Sequence, residues 1–270
     1  MGGKLSRRVF AVLKAYVVSD LVRSSGFLFG ALSMMLWILL LILPLALFAP
    51  SDVEVSELSS YAFTGLLIYV FFTTASWDWG AEIRFMINDG RLEYFIASGA
   101  GFLPHYLGIL PVSLMWIGIS LALVYAVLSF IWSPPVFHTQ SPALFALGLA
   151  LLVVSLIGYG LLLGGTMITS GTGGVVVELL SFILPVASGG LTPLKVAPEP
   201  LKLFALATPF SYPAELIRYS LLGVEPVLTP LELITVGSAY VILFLGFSVI
   251  YFRHQLKKVM REGFRATAMW

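Results

Sequence analysis

The sequence contains no cysteine, and only 11% of its residues are charged, against about 25% in an ordinary soluble domain. The lack of cysteine excludes a disulfide framework, a thiolate nucleophile and a thiolate metal site. A net charge of +1 does not provide the basic footprint of a nucleic-acid-binding protein. None of the six lysines lies in the Gly-x-x-x-x-Gly-Lys-Ser/Thr pattern of a P-loop. The sequence therefore points to neither nucleic-acid binding nor P-loop nucleotide hydrolysis.

Hydrophobic residues make up 59% of the chain, and the mean hydropathy is +0.99. The run from Tyr94 to Val177 contains no Asp, Glu, Lys or Arg. A water-soluble fold could not bury such a run, whereas the hydrocarbon core of a bilayer is crossed by about 20 helical residues. The sequence therefore predicts an all-α integral membrane protein with a single transmembrane domain over residues 1–270.

Six apolar windows of this kind occur along the chain. Prolines 134 and 135 divide the long uncharged run, because consecutive prolines cannot continue a helix, and the glycine-rich turn 170–174 divides it again. The predicted spans are Phe27 to Ala49, Leu58 to Trp77, Phe102 to Trp132, Pro142 to Thr169, Val175 to Leu191, and Leu233 to Phe252, the last closed by Arg253.

The distribution of lysine and arginine predicts the orientation of these spans. Twelve basic residues lie before span one, between spans two and three, or after span six, and only Lys195, Lys202 and Arg218 lie on the opposite side. Positive residues are enriched in cytoplasmic segments. We therefore expect a multi-pass protein of the cell (plasma) membrane with both termini in the cytoplasm.

The N-terminal residues 4–23 have the pattern of an amphipathic helix. One helical face carries the apolar residues, and the opposite face carries the basic ones, which are Lys4, Arg7, Arg8 and Lys14. Such a helix is expected to lie in the membrane interface, with its basic side chains near lipid phosphate. It could be a simple membrane anchor, or it could seat a partner subunit.

Residues 78–99 form the most informative polar segment, between spans two and three. The spacing of charges and apolar residues predicts two short helices, and Asn88, Asp89 and Gly90 form a turn signal between them. Trp77, Trp79, Phe85, Tyr94 and Phe95 lie close by in sequence and could form an interfacial aromatic belt. The segment is predicted to be a helix-turn-helix parallel to the membrane, with a solvated loop as the alternative.

The segment 192–230 is too polar for a span and too apolar for a free loop. Its uncharged stretch Leu203 to Ala214 is too short to cross a bilayer, which predicts a re-entrant hairpin broken at Pro209 and Pro213. The hairpin could form an outer gate or plug the helix bundle. The candidate gate residues are Pro209, Phe210, Tyr212, Glu215 and Arg218.

Two features inside the predicted spans have plain structural interpretations. Span four carries five glycines that would allow close helix approach: Gly148, Gly158, Gly160, Gly164 and Gly165. Glu178 is interpreted as a carboxylate in the N-terminal turn of span five, favoured there by the helix dipole, in preference to a charge in a transport path.

Two motifs resemble those of a known family. The segment Gly90-Arg91-Leu92-Glu93-Tyr94-Phe95-Ile96-Ala97-Ser98 resembles the Gly-Thr-Leu-Glu signature in the cytoplasmic loop of permease subunits of type-2 ABC exporters. A second resemblance lies before span six. The family has a Gly/Pro break and a proline there, similar to Ser188 to Pro193 and Pro198. It then has an Asn-Pro with an aromatic and a closing Glu/Arg helix, similar to Thr208 to Tyr212 and Glu215 to Arg218. With six spans and an interfacial helix, the resemblance covers essentially the whole chain.

The chain departs from the family pattern at three positions. Arg91 stands in place of the usual Thr, Gly99 in place of a common Pro, and Thr208 in place of Asn. The first departure could alter contacts with a partner, and the other two concern helix entry. None removes a catalytic group, because the family's membrane subunit has none.

The resemblance implies a role for the segment 78–99 as a coupling helix that docks into a cytoplasmic P-loop ATPase subunit. The residues carried over to this role are Glu82, Arg84, Asp89, Gly90, Arg91, Leu92 and Glu93. It also implies a second permease copy, an amphipathic cargo such as a drug, lipid or lipid-linked glycan, and surrounding membrane lipids. ATP and Mg would be bound by the partner, so this chain is expected to have no catalytic site, cofactor or metal.

Two other function classes compete with this interpretation. A secondary transporter or channel without an ATPase partner would usually show intramembrane charges or matching broken helices in two halves. An intramembrane enzyme would need paired aspartates, a Ser/His pair or a metal cluster inside the spans, and the sequence shows none of these.

Overall fold

The computed structural model describes residues 2–22, 54–97, 102–169 and 173–262, together with positions 29–30, 32–33, 35–37 and 39–40. The described parts are helical and contain no strand. This confirms the predicted all-α class.

Ten α-helices are named here in chain order. They are α1 (Gly2–Tyr16), α2 (Val55–Thr74), α3 (Glu82–Asn88), α4 (Arg91–Ala97), α5 (Phe102–Ile131), α6 (Pro142–Thr169), α7 (Gly173–Ala187), α8 (Glu199–Leu206), α9 (Ser211–Leu222) and α10 (Pro230–Glu262). Two π-helical segments, Val17–Val22 and Ala75–Gly80, continue α1 and α2, and a 3₁₀ turn, Leu194–Val196, precedes α8.

Among the described residues, four helical stretches are long and apolar enough to cross a membrane: Val55–Asn88, Pro104–Ile131, Pro142–Ile168 and Pro230–Arg261. They correspond to predicted spans two, three, four and six. The predicted end of span two at Trp77 is wrong, because the helical stretch continues through the π-helical segment Ala75–Gly80 to Asn88. The third and fourth spans end where the sequence predicts, because Pro134 and Pro135 follow α5, and α6 occupies Pro142–Thr169. The protein is therefore a helical membrane protein in its coarse architecture.

The other two predicted spans have different outcomes. Span one, 27–49, lies mostly outside the described residues, and the described positions within it are helical. Span five is shorter than predicted, because α7 has 15 residues and reaches only about 22 Å at 1.5 Å per residue. It ends before Gly189, whose φ of 74° is left-handed and stops the helix. Glu178 is exposed in the second turn of α7, so the N-terminal-turn interpretation is wrong.

The end of span six also differs from the prediction. The sequence predicts closure at Arg253, but α10 continues through this residue to Glu262. Charge ends the apolar stretch without ending the helix, because arginine and lysine are good helix formers and no proline follows in the helix. At 33 residues, α10 is about 50 Å long, which exceeds the thickness of bilayer hydrocarbon.

The chain divides into two compact units, of which the first comprises Met1–Ser59 and Gly90–Pro135. Within it, α1 packs against α5. A Cβ at Gly108 of α5 would lie 2.6 Å from the Cβ of Val12 in α1, and the rings of Tyr16 and His105 meet edge to face at 5.8 Å. The apolar face predicted for the N-terminal helix therefore packs on a neighbouring helix of the same unit.

The second unit comprises Ser60–Asp89 and Val136–Trp270, and α6 is the helix that most of its elements contact. The five glycines predicted to allow close approach all lie against a neighbour. A Cβ added to any of these glycines would lie within 3.1 Å of a side-chain atom of a neighbouring residue. The neighbours are Ile217 for Gly148, Phe244 for Gly158, Trp79 for Gly160, Ile83 for Gly164 and Tyr251 for Gly165. The packing interpretation of these glycines is confirmed, and it places the hairpin segment beside α6.

Substitution at Gly160 tests this packing. Gly160→Ala would put a Cβ 3.0 Å from the Trp79 Cβ, which belongs to the π-helical segment Ala75–Gly80 and has little room to move. We expect a loss of about 1–3 kcal/mol from overpacking, measured as a lower thermal unfolding midpoint in detergent. The matched control is Gly246→Ala in α10, where a Cβ would meet nothing within 4 Å. That change should be neutral or stabilise by up to about 1 kcal/mol; equal destabilisation by both would contradict the packing role.

Candidate functional site

The segment between α7 and α10 is a compact helical hairpin and contains all five candidate gate residues. It runs from the turn at Ser188 through the 3₁₀ turn and α8 to α9. Pro209 lies in the turn between α8 and α9, as predicted for a break. The predicted break at Pro213 is wrong, because this residue lies in the first turn of α9. A proline is tolerated there, since backbone N–H groups in the first turn have no intrahelical partner.

A buried ion pair lies at the centre of the hairpin. Arg218 Nη1 donates to Glu215 Oε1 at 2.8 Å, and the side chains are only 3% and 4% exposed. The two residues are one helical turn apart in α9, so their side chains meet on one face. A charged pair at this depth needs further hydrogen bonds to offset the loss of hydration.

The backbone of three other segments supplies those hydrogen bonds. Arg218 Nη2 donates to the carbonyls of Gly189 and Gly190, both at 2.9 Å, in the turn after α7. The Glu215 carboxylate accepts from the N–H of Leu194 at 3.2 Å and from the N–H of Val227 at 3.3 Å. The pair therefore ties the end of α7, the 3₁₀ turn and the segment before α10 to α9.

Gly190 is required for this arrangement. A Cβ at this position would lie 2.6 Å from the carbonyl oxygen of Pro185, which is backbone and cannot swing away. The neighbouring Gly189 has a positive φ, which costs little only for glycine. Together the two glycines turn two adjacent carbonyls toward a single guanidinium group.

The electrostatics of Arg218 reflect two opposing effects. Burial lowers the pKa of the guanidinium, while the charge of Glu215 and its hydrogen bond raise it. The unperturbed pKa of arginine lies far above neutral pH, so the group is treated as a cation. Its role here is to bind carbonyl and carboxylate oxygens, not to exchange protons.

Phe210, the next candidate gate residue, lies at the centre of an aromatic cluster. Its ring meets Phe72 at 5.1 Å, Tyr159 at 5.9 Å and Phe244 at 5.6 Å, all edge to face. The Tyr159 hydroxyl is hydrogen-bonded to the hydroxyl of Ser76 at 3.1 Å. The turn between α8 and α9 is therefore held against α2, α6 and α10 by rings that exclude water.

Tyr212 also stabilises the turn between α8 and α9. Its hydroxyl donates to the carbonyl of Leu206 at 2.8 Å, and Tyr240 donates from α10 to the carbonyl of Ala207. The two tyrosine rings meet edge to face at 5.9 Å. A Cβ at Gly237 of α10 would lie 2.7 Å from the Tyr212 Cβ, so the closeness of α9 and α10 depends on this glycine.

All five candidate gate residues are buried. The structure brings Glu215 and Arg218 into contact and places Phe210 and Tyr212 in two neighbouring aromatic groups. These residues therefore make the internal contacts of the hairpin and its contacts with α2, α6 and α10.

The candidate coupling residues lie on two short helices joined by a tight turn. Gly90 has a φ of 67°, so the turn predicted at Asn88, Asp89 and Gly90 is present between α3 and α4. Residues 98 and 99 of the predicted segment lie outside the described residues. Glu82, Arg84 and Asp89 belong to the second unit, and Gly90, Arg91, Leu92 and Glu93 belong to the first.

The exposure of these residues is uneven. Asp89, Arg91 and Glu93 are exposed, and Glu82, Arg84 and Gly90 are half-buried. Leu92 is fully buried at 0%. An apolar residue thus holds α4 in place while the charges on either side of it face outward.

Sequence reasoning missed the backbone partners of the ion pair. Glu215 and Arg218 are predicted as gate residues, but the carbonyls of Gly189 and Gly190 and the N–H groups of Leu194 and Val227 are not. The Gly-Gly turn in the second family-like motif is a usable signal, since paired glycines bring backbone groups close to a neighbour. The exposed ion pair of Lys195 with Glu225 at 2.6 Å is also absent from the sequence-based prediction.

Among the described residues there is no group of three or more His, Asp or Glu side chains that could hold a metal ion. Comparison with protein-family models and with curated proteins found no match to this chain. The candidate site therefore rests on the geometry of the hairpin and of the helix-turn-helix.

Breaking the buried pair tests its role in the hairpin. Arg218→Met leaves the Glu215 carboxylate buried without its cation, and we expect a loss of about 3–5 kcal/mol, measured as thermal unfolding in detergent. The double change Glu215→Leu/Arg218→Met should cost less than Arg218→Met alone, because no charge is left unpaired. Lys195→Met in the exposed pair with Glu225 is the control and should change stability little. A stable Arg218→Met variant would show that the pair does not hold the hairpin.

Proposed function

We propose that this chain is the membrane-spanning subunit of an ATP-driven exporter of the type-2 ABC class. In this proposal the chain has six spans, with 27–49 as the first and α7 as the fifth, and an interfacial N-terminal helix. It lies in the plasma membrane, with both termini in the cytoplasm. Two copies form the translocation path, and a separate P-loop ATPase binds ATP and Mg. The chain itself has no catalytic role.

The observation that carries the proposal is the short helix α4. It begins after the turn at Gly90, buries Leu92 and exposes Arg91 and Glu93. A docking element needs exposed charges next to a buried apolar residue, because exposed charges can orient a reversible contact. The Gly-Arg-Leu-Glu segment that resembles the family signature coincides with α4.

The π-helical segment Ala75–Gly80 supports transmission from this element into the membrane. The helical stretch Val55–Asn88 continues through it, and Trp79 within it is buried against Gly160 of α6. Ile83 of α3 also lies against α6, at Gly164. A push on α3 would therefore be passed to α6 through close contacts, since packed side chains transmit displacement with little compression.

In this mechanism the hairpin is the outer closure of the path. Phe210 and Tyr212 seal the turn between α8 and α9, and the ion pair of Glu215 and Arg218 keeps the hairpin intact as one body. Movement of α6 and α10 after ATP binding would part the aromatic cluster around Phe210. An amphipathic cargo suits membrane helices that carry few charges.

The coupling role is tested by charge reversal in α4. Purification of the tagged chain from native membranes should retain a P-loop ATPase. Glu93→Lys should reduce the stimulation of that ATPase by the permease roughly tenfold or more, since a loss of about 1.4 kcal/mol of contact energy gives a tenfold change. Insertion into the membrane should be normal because Glu93 is exposed. ATPase assays on the reconstituted complex give the measurement.

Glu199→Lys provides the matched control for that experiment, since it reverses an exposed glutamate at the start of α8. It should leave ATPase stimulation unchanged. A chain that transports cargo without any nucleotide-hydrolysing companion would refute the proposal and favour a secondary transporter or channel.

The gate role is tested by cysteine labelling, for which the cysteine-free chain is already suited. Phe210→Cys should react slowly with a membrane-impermeant maleimide in the resting state, because this position is 4% exposed, and at least several-fold faster when ATP drives the cycle. Leu203→Cys on α8 is the control, since Leu203 is 64% exposed and should react at the same rate in both states. Identical rates at Phe210→Cys with and without ATP would identify the hairpin as a static plug.

A further inference from the structure

We infer that the free face of α10 binds an anionic phospholipid, with its phosphate on the basic end of the helix and an acyl chain along the apolar part of the same face. This site is independent of the proposed transport function. It follows from the continuity of α10 across the point where its sequence changes from apolar to basic.

The basic residues near the end of α10 lie on one side of the helix. Between residues 253 and 261 the helix carries no acidic residue and five basic ones, which are Arg253, His254, Lys257, Lys258 and Arg261. At 3.6 residues per turn they fall within an arc of about 140°, and all five are exposed. The opposite side is buried at Phe252 and Val259, both 5% exposed, which fixes the orientation of the helix.

The apolar part of the same arc is also exposed in the described part of the chain. Leu243 is 72% exposed, Phe247 60% and Ile250 70%. Ile250 precedes Arg253, His254 and Lys257 by three, four and seven residues, so these side chains form one continuous strip along the helix. Exposed apolar residues followed on the same face by exposed cations match the two chemical parts of an anionic phospholipid.

The direction of the side chains favours a lipid over an acidic protein as the occupant. Side chains on an α-helix point toward its N-terminus, and for α10 that direction leads back to the apolar part. The lysine and arginine side chains beyond Arg253 therefore reach toward the membrane surface, where long basic side chains contact lipid phosphate. Clusters of four or more Lys and Arg immediately after a membrane helix bind anionic lipids for the same electrostatic reason.

The test uses an environment-sensitive fluorophore at Ile250→Cys, in nanodiscs containing the full-length chain. Phosphatidylglycerol and phosphatidylcholine bearing the same nitroxide-labelled acyl chain are compared as quenchers at equal mole fractions. We expect phosphatidylglycerol to quench several-fold more strongly. Lys257→Gln/Lys258→Gln should abolish this preference, because each charge removed weakens binding of the anionic lipid by about fivefold. The preference should also fall as salt is raised.

The control removes the same number of charges elsewhere. Lys195→Gln/Lys202→Gln changes two lysines that already pair with Glu225 and Glu199, and it should leave the lipid preference intact. Unfolding midpoints in detergent confirm that both double variants are folded.

Three outcomes would overturn the inference. Equal quenching by the two lipids in the unmodified chain would leave an acidic protein as the occupant of the basic face. Loss of the preference on adding millimolar inorganic phosphate, at constant ionic strength, would assign the site to free phosphate. A preference that survives Lys257→Gln/Lys258→Gln would place the lipid elsewhere.

Discussion

The close approach of helices along α6 is the constraint on which the second unit depends. Its glycines let α9, α10, the π-helical segment and α3 come to distances that a single Cβ would obstruct. In a membrane the apolar side chains gain no hydrophobic free energy from leaving lipid, so helices associate through close van der Waals contact and buried polar bonds. Small residues are therefore the main means by which this sequence specifies which helices touch. Both the aromatic cluster at Phe210 and the ion pair at Arg218 lie on elements that α6 positions in this way.

The buried ion pair adds specificity to that packing. A well-packed apolar pair could stabilise α9 equally well, because desolvation of two charges can exceed their attraction. The charged pair also requires hydrogen-bond partners: carbonyl oxygens for the Arg218 guanidinium and N–H groups for the Glu215 carboxylate. Gly189 and Gly190 supply the carbonyls, and Leu194 and Val227 supply the N–H groups. Only one arrangement of the hairpin satisfies all of these groups, so the pair determines a unique conformation for a segment that has little regular structure.

In the proposed mechanism the hairpin stays rigid while the helices around it, α2, α6 and α10, move. The closure around Phe210 is made by dispersion contacts between rings, each individually weak, whereas the hairpin is held internally by charge-assisted hydrogen bonds, which are stronger. Separation of α2, α6 and α10 from the turn would therefore cost less than unfolding the hairpin. The exposed strip proposed to bind lipid on α10 does not include Phe244 and Tyr251, the residues of this helix that pack against Gly158 and Gly165 of α6.

The helical content, the membrane class and the bounds of α5 and α6 follow from local sequence. Prolines 134 and 135, Gly90 and the uncharged run act within a few residues, and the end of α5, the turn before α4 and the bounds of α6 agree with them. The prediction from local sequence is wrong at Arg253 and at Pro213. Arg253 ends the apolar stretch, but α10 continues through it. Pro213 lies in the first turn of a helix and does not break one.

The sequence by itself thus determined that this chain is helical, that it belongs in a membrane, and where its apolar stretches begin and end, because those properties depend on composition and on neighbouring residues. The tertiary structure decided which face of each helix is buried, that Arg218 meets the Gly189 and Gly190 carbonyls, and that the exposed apolar and basic residues of α10 share one side. These depend on contacts between residues far apart in the chain, and such contacts leave no periodic signal in the sequence.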